Sequence, residues 1–225
     1  MKSSKILALD LDETLTRGGE DTIREDVRKA LMRMRKKSWA LILTTGRDRR
    51  YLLGRADIRG IFDAWVMEAG LSIYIPSKDT YFVDADENWR SFISSLRSLS
   101  FIQEKENTIS FSSSYLGTLK QMIEESLLEI QMRDNKGVII LLPKGVNKWS
   151  GTLKALEIMG LESELIAAIG DSEIDLELIE QADFGAVVAN ADETLKRVAD
   201  YVARGEDGDG VIEIIDVLLK KSYKL

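Results

Sequence analysis

Cysteine and histidine are both absent from this 225-residue chain, and proline occurs only twice. Without thiols there is no disulfide, no thiolate nucleophile and no Cys/His zinc site, and without imidazole no histidine general base. Any catalysis must run on carboxylates, hydroxyls, lysine or arginine. No apolar run approaches the roughly 20 residues of a membrane-spanning helix, and Met1 to Lys5 lead into the first apolar segment without a secretory-type core. The expectation is a soluble cytoplasmic protein with no membrane partner. Positive charge is not in excess either: 31 Lys and Arg face 38 Asp and Glu, a net charge of -7, and no basic stripe interrupts the pattern. That argues against a nucleic-acid partner. With 44% hydrophobic and 31% charged residues, the chain can bury a core as one domain with an insert or as two small domains. A monomer and a homodimer are equally compatible with it.

The stretch Lys5-Ile6-Leu7-Ala8-Leu9-Asp10-Leu11-Asp12-Glu13-Thr14 organises the rest. A continuous apolar run from Ile6 to Leu9 predicts a strand buried on both faces, ending abruptly in acid. Side chains two apart on an extended segment point the same way, so Asp10 and Asp12 are expected to project together from the strand's carboxyl end. Open parallel sheets keep their ligands there. Adjacent carboxylates need a proton or a hard cation to neutralise them. A solvated acidic turn and a cation site both fit the Asp-x-Asp pattern taken alone.

Thr22-Ile23-Arg24-Glu25 has capping-box spacing, and Ile23, Val27, Ala30, Leu31 and Met34 follow at helical intervals. Trp39 to Leu43 predicts a second buried strand, ending in Thr44-Thr45-Gly46-Arg47, where hydroxyls and backbone amides can cradle a phosphate if a helix begins near Asp48. Such residues also favour ordinary strand-to-helix turns. Ala64 to Met67 is another short strand, followed by Glu68-Ala69-Gly70. Between Tyr81 and Leu142 the pattern changes. Strands at Tyr81–Val83, Thr108–Phe111 and Val138–Leu142 alternate with helices near Glu87–Leu99 and Thr118–Gln131, bracketed by Pro76 and Pro143. This predicts a small inserted α+β domain, residues 80–147, within a discontinuous core of residues 1–79 and 148–225.

Lys148 stands at the start of a helix, where the dipole disfavours cations; a nearby anion would account for it, as would a solvated surface position. Leu165 to Ile169 is a third buried strand ending in acid, Gly170-Asp171-Ser172-Glu173-Ile174-Asp175. A helix beginning near Ser172 would let Asp171 and Asp175 face a common point. Phe184 to Val188 reads as a strand, Asn190 to Glu193 opens a helix, Gly210 begins the last helix, and the basic stretch Lys220 to Lys224 is expected to be a frayed, solvated tail.

Taken together, Asp10-Leu11-Asp12-Glu13-Thr14, Thr45-Gly46-Arg47, Lys148 and Gly170-Asp171-Ser172-Glu173-Ile174-Asp175 resemble the four ordered motifs of the haloacid dehalogenase (HAD) superfamily of phosphotransferases. The resemblance spans essentially the whole chain, including Val188-Ala189-Asn190-Ala191 and the Gly-Asp-Gly-Val at 208–211. The insert between the second and third motifs is similar to the type 2 cap of the Cof-like branch. The short length and compact cap most resemble archaeal phosphoglycolate phosphatases.

The resemblance implies an α/β fold, with a Rossmann-like core of parallel sheet flanked by helices and a small α+β cap. It implies hydrolysis of a small phosphorylated metabolite, with Asp10 as nucleophile forming an aspartyl-phosphate and Asp12 as general acid and base. Thr45, Gly46, Lys148 and Asn190 would contact substrate. Mg²⁺ would be held by Asp10, Asp12 through its main-chain carbonyl, Asp171 and Asp175. Two positions depart from the family pattern: Ile174 replaces an Asn usual before the last acid, and Ala69 replaces the Asn of Glu-Asn-Gly. Phosphoglycolate is the expected substrate, a sugar phosphate its nearest rival, and a phosphate-binding regulatory module without turnover the alternative of a different class. A cap closing over a small acid phosphate should supply a cation to the second anionic group, and Arg90, Arg97, Lys105, Lys120 and Arg133 are available.

Overall fold

The computed structural model describes residues 2–18 and 20–220. The first part of the chain forms β1 (Lys2–Asp10), α1 (Glu25–Lys36), β2 (Trp39–Thr44), α2 (Arg49–Leu53), β3 (Ala64–Met67), β4 (Ser72–Ile75) and β5 (Thr80–Val83). Next come α3 (Glu87–Leu96), β6 (Gln103–Glu104), β7 (Ile109–Ser112), α4 (Leu116–Glu125), β8 (Ile130–Asn135) and β9 (Val138–Pro143). The chain closes with α5 (Lys148–Met159), β10 (Leu161–Gly170), α6 (Leu176–Gln181), β11 (Phe184–Val187), α7 (Glu193–Val198), β12 (Tyr201–Val202) and α8 (Asp207–Lys220).

An eight-stranded sheet runs in the order β12-β11-β10-β1-β2-β3-β4-β5. The six strands from β12 to β3 are parallel, and β4 and β5 extend the edge antiparallel. Ile6, Leu7, Ala8 and Leu9 of β1 are fully buried, as a strand covered on both faces requires. From β1 the chain builds outward through β2 and β3, then returns to β10 on β1's other side and builds the opposite way. This reversal creates a topological switch between β1 and β10, where ligand crevices form in open α/β sheets. The register sharpens it: Leu9 lies opposite Ile169 and Asp10 opposite Thr44, so three functional loops leave the sheet side by side.

The insert carries its own antiparallel sheet, in the order β6-β7-β9-β8, and its own apolar cluster around Trp89, Ile93, Phe111 and Leu141. The α/β core with an α+β cap matches the expected fold class. No described helix is long and apolar enough to cross a membrane.

Several local expectations differ. Tyr81–Val83, expected to open the small sheet, instead pairs with β4 at the edge of the large one, so the small sheet draws only on residues 103–143. The helix expected over Thr118–Gln131 stops at Glu125; Leu127 adopts a left-handed φ of 56°, and Ile130 and Gln131 belong to β8. The Thr22–Glu25 capping box does not form. The helix starts at Glu25, Arg24 is its cap without a side-chain bond, and Asp57 accepts the Ile23 amide at 2.8 Å. The last helix begins at Asp207, three residues before Gly210. Lys220 is its final residue, and the remainder of the expected basic tail, 221–224, lies outside the described residues.

Candidate active site

Where β1 and β10 end together, Asp10, Asp171 and Asp175 each offer a carboxylate oxygen within 4.8 Å of the others, all three being buried. Lys148 is only 1% exposed and binds two of them, Asp10 and, at 2.5 Å, Asp175. Its placement explains a lysine at a helix start: Asn147 and Ser150 form the cap of α5, and the ammonium faces anions that offset the dipole. Asp175 folds back under the turn, where its other oxygen accepts from the Asp171 amide and from the Ser172 amide and hydroxyl. Gly170 permits this, since a Cβ there would lie 2.7 Å from the Asp175 carboxyl carbon. Thr14 donates its hydroxyl to Asp171 at 2.9 Å.

One internal lysine cannot balance three carboxylates. Burial drives the Asp10 pKa well above its usual range; Lys148 acts against this, while Asp175, Asp171 and Asp12 reinforce it. Burial, and next the Asp175 charge, push Asp171 up to about 6 against the pull of Lys136, Thr14 and Lys148. For Lys148 burial opposes the charged form, but Asp10 and Asp175 outweigh it and hold the ammonium above the ordinary lysine range. Excess buried negative charge on hard oxygen donors is the environment a divalent cation fits. A measurable consequence follows. Because the folded Asp171 pKa lies above its usual value of 3.8, its contribution to stability is fully present below about 4 and disappears as pH rises through about 6. Added Mg²⁺ is therefore expected to raise the melting temperature of metal-free protein more at about pH 7.5 than at about pH 5. Equal increments at the two pH values would contradict a cation held by these acids.

Above the acids lies a cavity of about 370 Å³, lined from the large sheet by Asp10, Asp12, Gly46, Arg47, Lys148 and Asp171 among others. The insert supplies Gln103, Lys105, Ser110, Lys136, Val138 and Ile140 to the same cavity. Asp12 and Asp10 pair with different side-chain cations. Beyond the end of β1 the Asp12 carboxylate turns to Arg47, which grips it with Nη2 at 2.8 Å and Nε at 3.1 Å and rests over the Tyr51 ring. Each carboxylate of the Asp-x-Asp pair thus has its own cation.

Thr45 is fully buried; its amide bonds Val66, its hydroxyl accepts from the Arg47 amide at 3.1 Å, and Gly46 rather than Thr45 lines the cavity. Asn190, expected to touch substrate, is a structural brace instead. Its amide donates to the Glu13 carbonyl and to Asp207 and accepts from the Asp207 amide, and it does not line the cavity. Of the five cap cations, only Lys105 reaches the cavity. Arg90 pairs with Glu87, Lys120 with Glu124 and Arg133 with Glu177, while Arg97 donates to the carbonyls of Lys105 and Glu106. Lys136 was not anticipated: from the turn between β8 and β9 it bonds Glu13 and, at 3.3 Å, Asp171, tying the insert to the acid cluster.

Both departures from the family pattern have a structural setting. Ile174 is buried in the apolar cluster of the insert, so an apolar side chain there joins the acid turn to the cap. Ala69 sits in the same cluster at φ 58°, a left-handed conformation that Asn tolerates better than Ala. Its amide bonds the Thr45 carbonyl at 2.9 Å.

Comparison with known proteins gives a consistent picture. Residues 59–215 match the sequence pattern of the family described as haloacid dehalogenase-like hydrolase. The chain is similar to a phosphoglycolate phosphatase of Methanosarcina acetivorans, 31% identical over 221 residues that cover 95% of this chain and 96% of the relative. Phosphoglycolate phosphatase 2 of Saccharolobus solfataricus is 28% identical over 223 residues, covering 97% of this chain and 94% of that one. Among solved structures, a Thermoplasma acidophilum protein aligns with a TM-score of 0.77 at 18% identity, covering 96% of this chain and 98% of its own. A HAD subclass IIB sugar phosphatase aligns with a TM-score of 0.77 at 16% identity, covering 96% and 99%. At those identities the two structures speak to the fold alone.

Proposed function

The chain belongs to the haloacid dehalogenase-like hydrolase family, and from that premise we propose that it is a Mg²⁺-dependent phosphomonoester hydrolase acting on 2-phosphoglycolate. The observation that carries this reading is the buried Lys148 ammonium shared by Asp10 and Asp175, beside Asp171, on the floor of a small cavity roofed by the cap.

In this reading Asp10 attacks the phosphorus and the leaving alkoxide departs, splitting one hard displacement into two easier ones. For this Asp12 must leave Arg47 and take up a proton, which it gives to that departing oxygen; it then takes one from the water that hydrolyses the aspartyl-phosphate. Lys148, with the backbone at Gly46 on the cavity wall, holds the phosphoryl oxygens as their charge grows. Asp10, the Asp12 main-chain carbonyl, Asp171 and Asp175 would hold Mg²⁺. When bound, it supplies the positive charge that lets a carboxylate approach a phosphate dianion. The cap supplies one side of the cavity in which the reaction takes place.

The volume and polarity of the cavity suit a small, doubly anionic ester, and relatives named phosphoglycolate phosphatase align along nearly the whole chain. The test is kcat/KM across a panel of phosphate esters with Mg²⁺. Phosphoglycolate is expected to exceed hexose and pentose phosphates by about tenfold or more, the difference one well-placed ionic contact makes. A preference for sugar phosphates would overturn the substrate while leaving the hydrolase.

A further inference from the structure

Four cations line the cavity: Arg47, Lys105, Lys136 and Lys148. Three are committed, Arg47 to Asp12, Lys136 to Glu13 and Asp171, and Lys148 to Asp10 and Asp175. Lys105 alone of the four has no carboxylate partner among the described residues, although it is half-buried. Burial, and next the neighbouring Arg47 guanidinium, push its pKa below the ordinary lysine range, with Glu68, Asp48 and Asp12 pulling the other way. A half-buried ammonium without a counter-ion costs free energy that an incoming anion would recover.

The segment that carries Lys105 is held from both sides. Within the insert, its amide donates to the Thr108 carbonyl at 3.1 Å, and Arg97 donates to its carbonyl at 3.0 Å. On the core side, the next residue, Glu106, pairs with Arg49 at 2.6 Å, and Asn107 donates its amide and its side chain to Glu68, both at 2.7 Å. Glu68 in turn belongs to the turn whose next amide, that of Ala69, bonds the Thr45 carbonyl at 2.9 Å. The backbone that carries the cation is therefore fixed by hydrogen bonds and ion pairs that lead back to the loop beside Asp10, rather than lying on a free surface loop. Such preorganisation is what makes a single contact selective.

We infer that Lys105 binds the carboxylate end of the substrate, so that the cap selects phosphate esters of small acids over neutral alcohols. The inference deepens the phosphatase reading and rests on it. Lys148 and the loop at Gly46 serve the phosphoryl group, Lys105 the far end, and Val138 and Ile140 supply an apolar wall of the same cavity. Gln103 and Ser110 stand beside Lys105 as polar neighbours, the Ser110 hydroxyl donating to the Gln103 side-chain oxygen at 3.4 Å.

Two esters that differ only at the far end test it: 2-phosphoglycolate and 2-hydroxyethyl phosphate. Lys105→Met is expected to lower the ratio of kcat/KM for the first over the second by about 10- to 100-fold, mainly through KM, the usual worth of a charge-assisted contact. Lys105→Arg should restore most of the ratio, and Lys120→Gln, at an exposed cap lysine paired with Glu124, should leave it within twofold. Because the ratio is internal to each variant, a partly unfolded preparation does not disturb it. If wild type hydrolyses both esters and Lys105→Met moves the ratio less than threefold, the inference fails and the phosphatase stands. If wild type hydrolyses neither of these, nor an aryl phosphate or sugar phosphates, above the level of Asp10→Asn, the phosphatase reading itself is lost.

Discussion

Asp10→Asn is expected to lower Mg²⁺-dependent hydrolysis of an aryl phosphate by about 10⁴-fold or more, because an amide cannot form the acyl-phosphate that the proposed route passes through. The variant should nevertheless fold. Burial and the charges of Asp175, Asp171 and Asp12 already drive the Asp10 pKa upward, so removing its charge relieves repulsion, at the cost of one of the two partners of Lys148. Asp175 still holds that ammonium. Melting of the metal-free variant close to that of wild type, together with background activity, is the combined result expected. Retention of more than a few per cent of the wild-type rate would mean that Asp10 is not the nucleophile.

Lys148→Met tests the same cluster from the cation's side. The substitution keeps the volume of the stem and leaves Asp10 and Asp175 buried without their shared partner, a change that costs about 3–5 kcal/mol when one member of a buried ion pair is removed. The sign with pH can be worked out from the carboxylates. Asp10 and Asp171 have folded-state pKa values above their usual values, so protonation favours the folded form; their contribution to stability is greatest at low pH and lost as pH rises through the raised values. Without Lys148 that loss deepens. Urea unfolding of the metal-free variant should therefore show a larger deficit against wild type at about pH 8 than at about pH 5. Activity should fall by about 10²- to 10³-fold, the cost of deleting one preorganised contact to a charged transition state. A deficit below about 1 kcal/mol at the higher pH would place the ammonium outside the ion cluster.

What could be read from the chain, and what could not, follows from the range of the forces involved. The acids at 10, 171 and 175 were legible because each follows a buried apolar run, and parallel strands deliver their carboxyl ends to one edge. Lys148 was legible because a cation at a helix start conflicts with the local dipole and so points to an anion elsewhere. The side chain of Asp12 was not, because its rotation toward Arg47 depends on a partner 35 residues away. Nor was the role of Asn190, whose three bonds reach back to Glu13 and forward to Asp207. A strand carries no record of its neighbour, so Tyr81–Val83 was assigned to the wrong sheet. The expected helix runs past Glu125 because Leu127 and Ile130 continue the apolar spacing, while the break comes at Leu127 itself, a residue type that rarely adopts a left-handed φ. Cap selectivity was legible only as a set of five cations, and folding removed four of them by pairing or distance.

One further feature bears on how the protein could be altered. Gly151, on the first turn of α5, lies so close to the neighbouring turn that a methyl group there would sit 2.6 Å from Val66 Cγ1 and 2.7 Å from Gly70 Cα, and one on Gly70 would collide with the Asn147 carbonyl. The two glycines interlock the segment bearing Lys148 with the segment anchoring the cap, leaving no slack between them. Mutagenesis libraries aimed at new substrates would be wasted on that joint, where variants would lose the fold before changing preference. The productive positions are 103, 105 and 138, whose side chains line the ligand space from the insert and are not among its buried residues.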